Sequence, residues 1–151
     1  MVRKVEEITI KANGSDLGKA FAKLAEEMFN IVVNVSDVDL EVTKTILIRS
    51  RDLNHLLIQF MKRLFDLANL ELFVLSTIKQ ITIDKISNEY LLDAVIIGDK
   101  MDANKYIVKD IVKQVTDRNV SVLEDKFGVH LQMNLVVEWR NIPGEDESEE
   151  V

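Results

Sequence analysis

Cysteine is absent from this 151-residue chain. That excludes disulfides, thiolate metal sites and cysteine nucleophiles together. With one proline and five glycines, few positions break regular structure, so most of the chain is expected in helices and strands. Only two histidines occur, His55 and His130, and they do not stand in a His-Glu-x-x-His or related metal spacing. No Gly-x-Ser-x-Gly elbow is present. Gly98-Asp99-Lys100 lacks the upstream glycine and the following Ser/Thr of a phosphate loop, and reads as a strand-end turn. No apolar run approaches the ~20 residues that span a bilayer. The opening Met1-Val2-Arg3-Lys4-Val5-Glu6-Glu7 carries no apolar signal stretch, so a cytoplasmic protein without membrane contact is expected.

What is present is an ordinary globular mixture, 47% hydrophobic and 30% charged, at the size of one domain. The net charge of −7 is concentrated near the end, where Glu145, Asp146, Glu147, Glu149 and Glu150 follow one another without a basic residue. Apart from these, 21 acidic residues stand against 19 basic ones. Residues 1–142 are therefore expected to form a single domain, with 143–151 a disordered acidic tail. A nearly neutral body argues against a broad nucleic-acid surface, which needs clustered Lys and Arg.

Periodicity orders the elements. From about Arg3 to Asn13, Ile8, Ile10 and Ala12 alternate with Glu7, Thr9, Lys11 and Asn13, the pattern of a half-buried strand. Ser15 or Asp16 then stands ready to cap a helix carrying Leu17, Ala20, Phe21, Leu24, Ala25, Met28 and Val32 on one stripe. Val38 to Ser50 reads as a strand with Leu40, Val42, Ile46 and Ile48 in phase. Asp52 caps a second helix striped by Leu53, Leu56, Leu57, Phe60, Met61, Leu64 and Leu67 and widened by Ile58 and Phe65. So broad an apolar face implies a helix held between the sheet and something else. A hairpin turning near Lys85–Glu89 follows, its second strand running from Tyr90 to Ile97 and ended by Gly98. Asp102 to Tyr106 suits a short helical turn. Ile107 to Thr116 reads as a strand, although its apolar residues also fit a helix. A last hairpin turns at Glu124–Gly128 and returns along Val129 to Trp139. Together these elements predict an α+β fold, two helices packed on a largely antiparallel sheet.

The residues offer little catalytic chemistry. His55 on a helix and His130 on the polar face of a strand read as surface side chains. Hard cations prefer clustered oxygen ligands, and Glu7 and Glu138 occupy the polar faces of the first and last strands. Pattern alone does not make those strands neighbours, and taken singly each is an ordinary surface glutamate.

Several stretches, spread from about Glu7 to Trp139, resemble the archease family. They are Ile8-Thr9-Ile10-Lys11-Ala12-Asn13-Gly14, Leu17-Gly18-Lys19-Ala20-Phe21 with the later Met28-Phe29, and Asp52-Leu53-Asn54-His55-Leu56-Leu57. Gly98-Asp99-Lys100-Met101-Asp102, continuing to Val112-Lys113-Gln114-Val115-Thr116, aligns without a gap. The resemblance implies an accessory protein, not an enzyme. Its partner would be the GTP-dependent RNA ligase that joins 3′-phosphate and 5′-hydroxyl ends in tRNA splicing, with RNA met only indirectly. It implies promotion of ligase guanylylation and turnover, and a divalent cation, calcium or magnesium, held by an N-terminal Asp, a last-strand Asp and the terminal carboxylate. At the matching places this chain has Glu7 and Glu138. Asp39 is a further candidate ligand, and Lys113 falls on the family's lysine as a candidate ligase contact. The family's Asp-His-Thr-Ala-Asp opening is replaced by Arg3-Lys4-Val5-Glu6-Glu7, and the backbone continues past Trp139 into Arg140. Two further readings stand beside this one. One is a protein-interaction module that kept the fold without metal or ligase activity; the other is a metal-dependent hydrolase using Glu7 and Glu138.

Overall fold

The computed structural model describes residues 3–140. The expected acidic tail at 143–151 lies outside them. Within them the chain runs β1 (Lys4–Gly14), α1 (Leu17–Val32), a 3-10 turn (Val35–Asp37), β2 (Val42–Ser50), α2 (Leu53–Leu70), β3 (Phe73–Ile86), β4 (Glu89–Lys100), β5 (Ile111–Val115), β6 (Ser121–Asp125) and β7 (Gly128–Trp139). This is the expected α+β arrangement, and all of its strand pairs are antiparallel.

The strands divide into two sheets. In the first, β7 is central. β1 lies along one edge, and β5 and β6 share the other in succession, opposite Leu135–Glu138 and Gly128–Gln132. In the second, β4 lies between β2 and β3. Each helix touches both sheets: α1 meets β1, β5 and β7 on one side and β3 on the other, while α2 meets β2, β3 and β4 as well as β5 and β6. The broad apolar face of α2 is thus explained by the second sheet more than by its sister helix.

Both helices start where their caps predict. The Asp16 carboxylate accepts from the Lys19 N–H at 2.8 Å, and the Asp52 carboxylate accepts from the His55 N–H at 2.8 Å. Inside, Phe21 and Phe60 pack as a tilted pair at 5.9 Å between ring centres, and both are fully buried. Val129, Leu131, Met133, Leu135 and Val137 all point inward from β7, the period of two that a half-buried strand requires.

Three expected boundaries shift. The second strand begins at Val42, not Val38, because Val38 packs with Val33, Val74 and Tyr106 in a small separate cluster. Leu40 is left 64% exposed. β4 continues through Gly98 to Lys100 rather than stopping at Ile97, because Gly98 lies against β3. A Cβ there would sit 1.9 Å from the Val74 carbonyl oxygen, so only glycine allows this approach. Finally, only Ile111–Val115 of the expected 107–116 strand pairs with β7. The preceding residues instead donate to the end of α1, from the Lys109 N–H to the Val32 carbonyl and from the Asp110 N–H to the Ile31 carbonyl. Ile107, which fitted both periodicities, is 85% exposed.

Replacing Phe60 by Ala should cost about 3–5 kcal/mol, since the ring is wholly enclosed and the surrounding helices and sheets cannot fully collapse onto the space. The neighbouring exposed Gln59→Ala should stay within about 0.5 kcal/mol. Urea denaturation of the two variants beside the wild type checks the contrast.

Candidate functional site

The pairing of β1 with β7 places the candidate glutamates. Val5 faces Glu138 and Glu7 faces Val136. Opposed residues of an antiparallel pair share a face, and so do residues two apart on one strand. Glu7 and Glu138 therefore stand diagonally on the outer face of the first sheet, at one end of it. The juxtaposition that pattern alone left open is present.

The two carboxylates turn to different partners. Arg118, on the connection from β5 to β6, grips Glu7 with a bidentate fork: Nε lies 3.0 and 2.9 Å from the two carboxylate oxygens, and Nη2 lies 2.7 Å from Oε1. Asn134 Nδ2 donates to Glu7 Oε2 at 2.7 Å. These bonds, the Arg118 ones foremost, hold the Glu7 carboxyl at about 2, well below its usual value. Glu138 pairs more loosely, with Arg3 Nη1 3.8 Å from its Oε2.

Around this pair the outer face is a polar lattice. Thr9 Oγ1 donates to Asn134 Oδ1 at 2.6 Å, Asn119 Nδ2 donates to both, and Gln132 Nε2 donates to Asn119 Oδ1 at 2.7 Å. Asn119 holds a φ of 57°, a left-handed conformation that Asn tolerates well, and this turns its amide back over the sheet. His130 completes the row, with Nδ1 2.8 Å from Asn13 Oδ1 and Nε2 3.0 Å from Asp125 Oδ1. It takes part in a surface network. His55, at the start of α2, contacts its own cap, Asp52, at 2.7 Å.

Asp39 belongs to another cluster. Lys105 Nζ lies 2.8 Å from Asp39 Oδ2 and 2.8 Å from Asp99 Oδ2, bridging the two carboxylates. Tyr106 donates its hydroxyl to Asp99 at 2.6 Å and accepts from the Asp39 N–H at 3.0 Å. This clamp ties the approach to β2 onto β4 and the segment after it. Lys105 first, then Tyr106 and the Lys100 N–H, bring the Asp99 carboxyl down to about 2. Asp39 therefore does not join Glu7 and Glu138. Lys113 is exposed on edge strand β5 at a bulge, the register shifting between Val112 and Gln114. A bulge on an edge strand turns a side chain outward while discouraging strand addition.

Sequence reasoning missed Arg118 and Asn134 as partners of Glu7, and Asn119 as a member of the lattice beside them. No local spacing links residues more than 100 positions apart, and the one available signal was a run of polar residues at alternate positions on β1 and β7. A divalent cation fits this donor set poorly. Both oxygens of Glu7 are taken by the guanidinium, Glu138 faces a second arginine, and Asp39 is committed elsewhere. Among the described residues no group of three or more Asp, Glu or His side chains could hold a metal ion.

Because the Asp99 carboxyl is lowered by its partners in the fold, its stabilisation is complete above the unfolded value near 3.9. It is lost as pH falls from about 4 towards about 2. Asp99→Asn should therefore melt several degrees below the wild type at pH 7, with the gap closing below pH 4. Thermal melts across that range check it.

The comparisons agree with this architecture. Residues 7–137 match the archease protein family. The protein archease of Thermococcus gammatolerans is 30% identical over 121 residues, covering 79% of this chain and 84% of its own. That of Pyrococcus abyssi is 28% identical over 116 residues, covering 77% and 81%. The solution structure of Methanobacterium thermoautotrophicum protein 1598 superposes with a TM-score of 0.74 at 21% identity, covering 88% of this chain and 96% of that one; at that identity the likeness speaks for the fold. The family match opens on Glu7 and closes one residue before Glu138, so it spans β1 to β7 and the body between them. With its sequence matched over most of its length and its fold in agreement, the chain belongs to the archease family.

Proposed function

We propose that this chain is an archease-like accessory protein acting in the cytoplasm. It would promote guanylylation and repeated turnover of the GTP-dependent ligase that joins 3′-phosphate and 5′-hydroxyl RNA ends in tRNA splicing. The observation that carries the reading is the family match across residues 7–137. The ligase-facing region is the end of the first sheet, where Glu7 and Glu138 share a face, together with the outward Lys113 on the β5 edge. RNA is met through the ligase and not by a basic surface of its own.

A second reading, a protein-interaction module without metal or ligase activity, draws support from one observation. The Glu7 carboxylate is already engaged by Arg118, so the acidic end of the sheet has the chemistry of a recognition surface more than of a metal centre.

Formation of the covalent ligase–GMP adduct, followed with labelled GTP and the ligase of the same source, decides between the two. Wild-type protein should raise the initial rate at least several-fold. Lys113→Glu should lower that stimulation without moving Tm, since Lys113 is exposed on its strand. Absence of any stimulation by the wild type would leave the interaction-module reading in its place.

A further inference from the structure

The donor set at the tip disagrees with the cation that the family resemblance implies, and the disagreement has a structural form. Arg118 is held as firmly as the carboxylate it meets. Its N–H donates to Thr116 Oγ1 at 3.1 Å, and its carbonyl accepts from the Asn134 N–H at 3.1 Å. Asn134 thus fixes the arginine with its backbone while its side-chain amide donates to Glu7 at 2.7 Å. Thr116 is itself buried and donates its hydroxyl to the Asn134 carbonyl at 2.7 Å. The result is a cation site made wholly of protein: a fixed positive group, both oxygens of its carboxylate ligand, and a neutral amide completing the shell.

We propose that the guanidinium of Arg118 replaces a divalent ion at the tip of this protein. It would neutralise Glu7 and lock the β5–β6 connection to β1, making the folded chain independent of metal. A carboxylate offers about four lone-pair directions, and a bidentate arginine with an amide occupies most of them. A divalent ion approaching Glu7 would have to displace a group anchored on two sides, and would meet the repulsion of its positive charge. Arg3, 3.8 Å from Glu138, adds a looser positive charge beside the second carboxylate. The expected state of the tip is therefore closed to calcium, magnesium and manganese.

The inference rests on the family reading only for the expectation of a metal. Its test uses the isolated 151-residue chain, so an outcome here is separate from success or failure in the ligase assay. Manganese binding is followed by electron paramagnetic resonance, and Tm is measured with chelator and with millimolar Ca²⁺, Mg²⁺ and Mn²⁺. Wild type should hold no bound Mn²⁺ and show the same Tm throughout. Arg118→Gln uncovers the carboxylate, and should bind Mn²⁺ with a Tm rise of roughly 3–6 °C at ten times its Kd. Adding Glu7→Gln should abolish that gain. Arg118→Lys keeps a positive charge and should remain unresponsive, which keeps the proposal testable should Arg118→Gln fail to fold. Saturable Mn²⁺ binding by the wild type that Glu7→Gln removes would overturn the proposal. So would a folded Arg118→Gln that takes up no divalent ion, or an Arg118→Lys that binds Mn²⁺.

Discussion

The pairing of β7 with three other strands holds the molecule together and sets its surface at the same time. On one side β7 takes β1 along eleven consecutive pairs, from Lys4↔Trp139 to Gly14↔Val129. On the other it takes β5 and then β6, leaving a gap bridged by the Asn134 backbone, whose carbonyl accepts from Thr116 and whose N–H donates to Arg118. Side chains alternate along a strand, so one register decides two things. It sends Val129, Leu131, Met133, Leu135 and Val137 into a core closed by both helices, and it lines Glu7, Thr9, Asn134, Gln132 and His130 along the outer face. A slip of one residue would bury the lattice and expose the core, so the hydrophobic core enforces the geometry of the tip.

This coupling also explains which parts of the structure were legible in advance. β1, β7 and the two capped helices carry strong local signals: clean alternation, aspartates at the first turn, apolar stripes three and four residues apart. Each formed close to where it was expected. Apart from the end of β4, the misjudged segments were those whose apolar residues serve no regular element. Leu40 and Ile107 satisfy a period yet face solvent, and Val38 is buried in a small cluster instead of a strand. Periodicity counts apolar residues without knowing what lies opposite them. The division into two sheets was hidden for the same reason, since nothing in β2 or β4 records which strands it will not pair with.

The site was legible in part. Glu7 and Glu138 could be assigned to polar faces, but their adjacency is a property of β1–β7 pairing over more than 130 positions. Their charge partners lay further out of reach. Arg118 comes from the connection between two edge strands, and Lys105 joins Asp39 to Asp99 across elements distant in sequence. In both clusters a basic side chain from a connection closes over carboxylates presented by strands or their approaches. Such ion pairs are modest in energy when exposed. Here they order connections that β-pairing alone leaves loose.

The length of the Glu7 arm gives the tip its final logic. Glu7 stands on β1 and Arg118 beyond the far edge of β7, so the two must reach over the central strand, a span of roughly two strand spacings of about 4.8 Å. The residue beneath the bridge is Val136, opposite Glu7 and too short to obstruct it. An aspartate at position 7 would place its carboxylate one methylene nearer its own strand, less able to meet a side chain from the other side. Glutamate at this position, arginine on the β5–β6 connection and an asparagine between them form a mutually dependent set. Each of the three contributes the length or the hydrogen bond that the other two lack, and the charge at the tip is settled by residues of the chain itself.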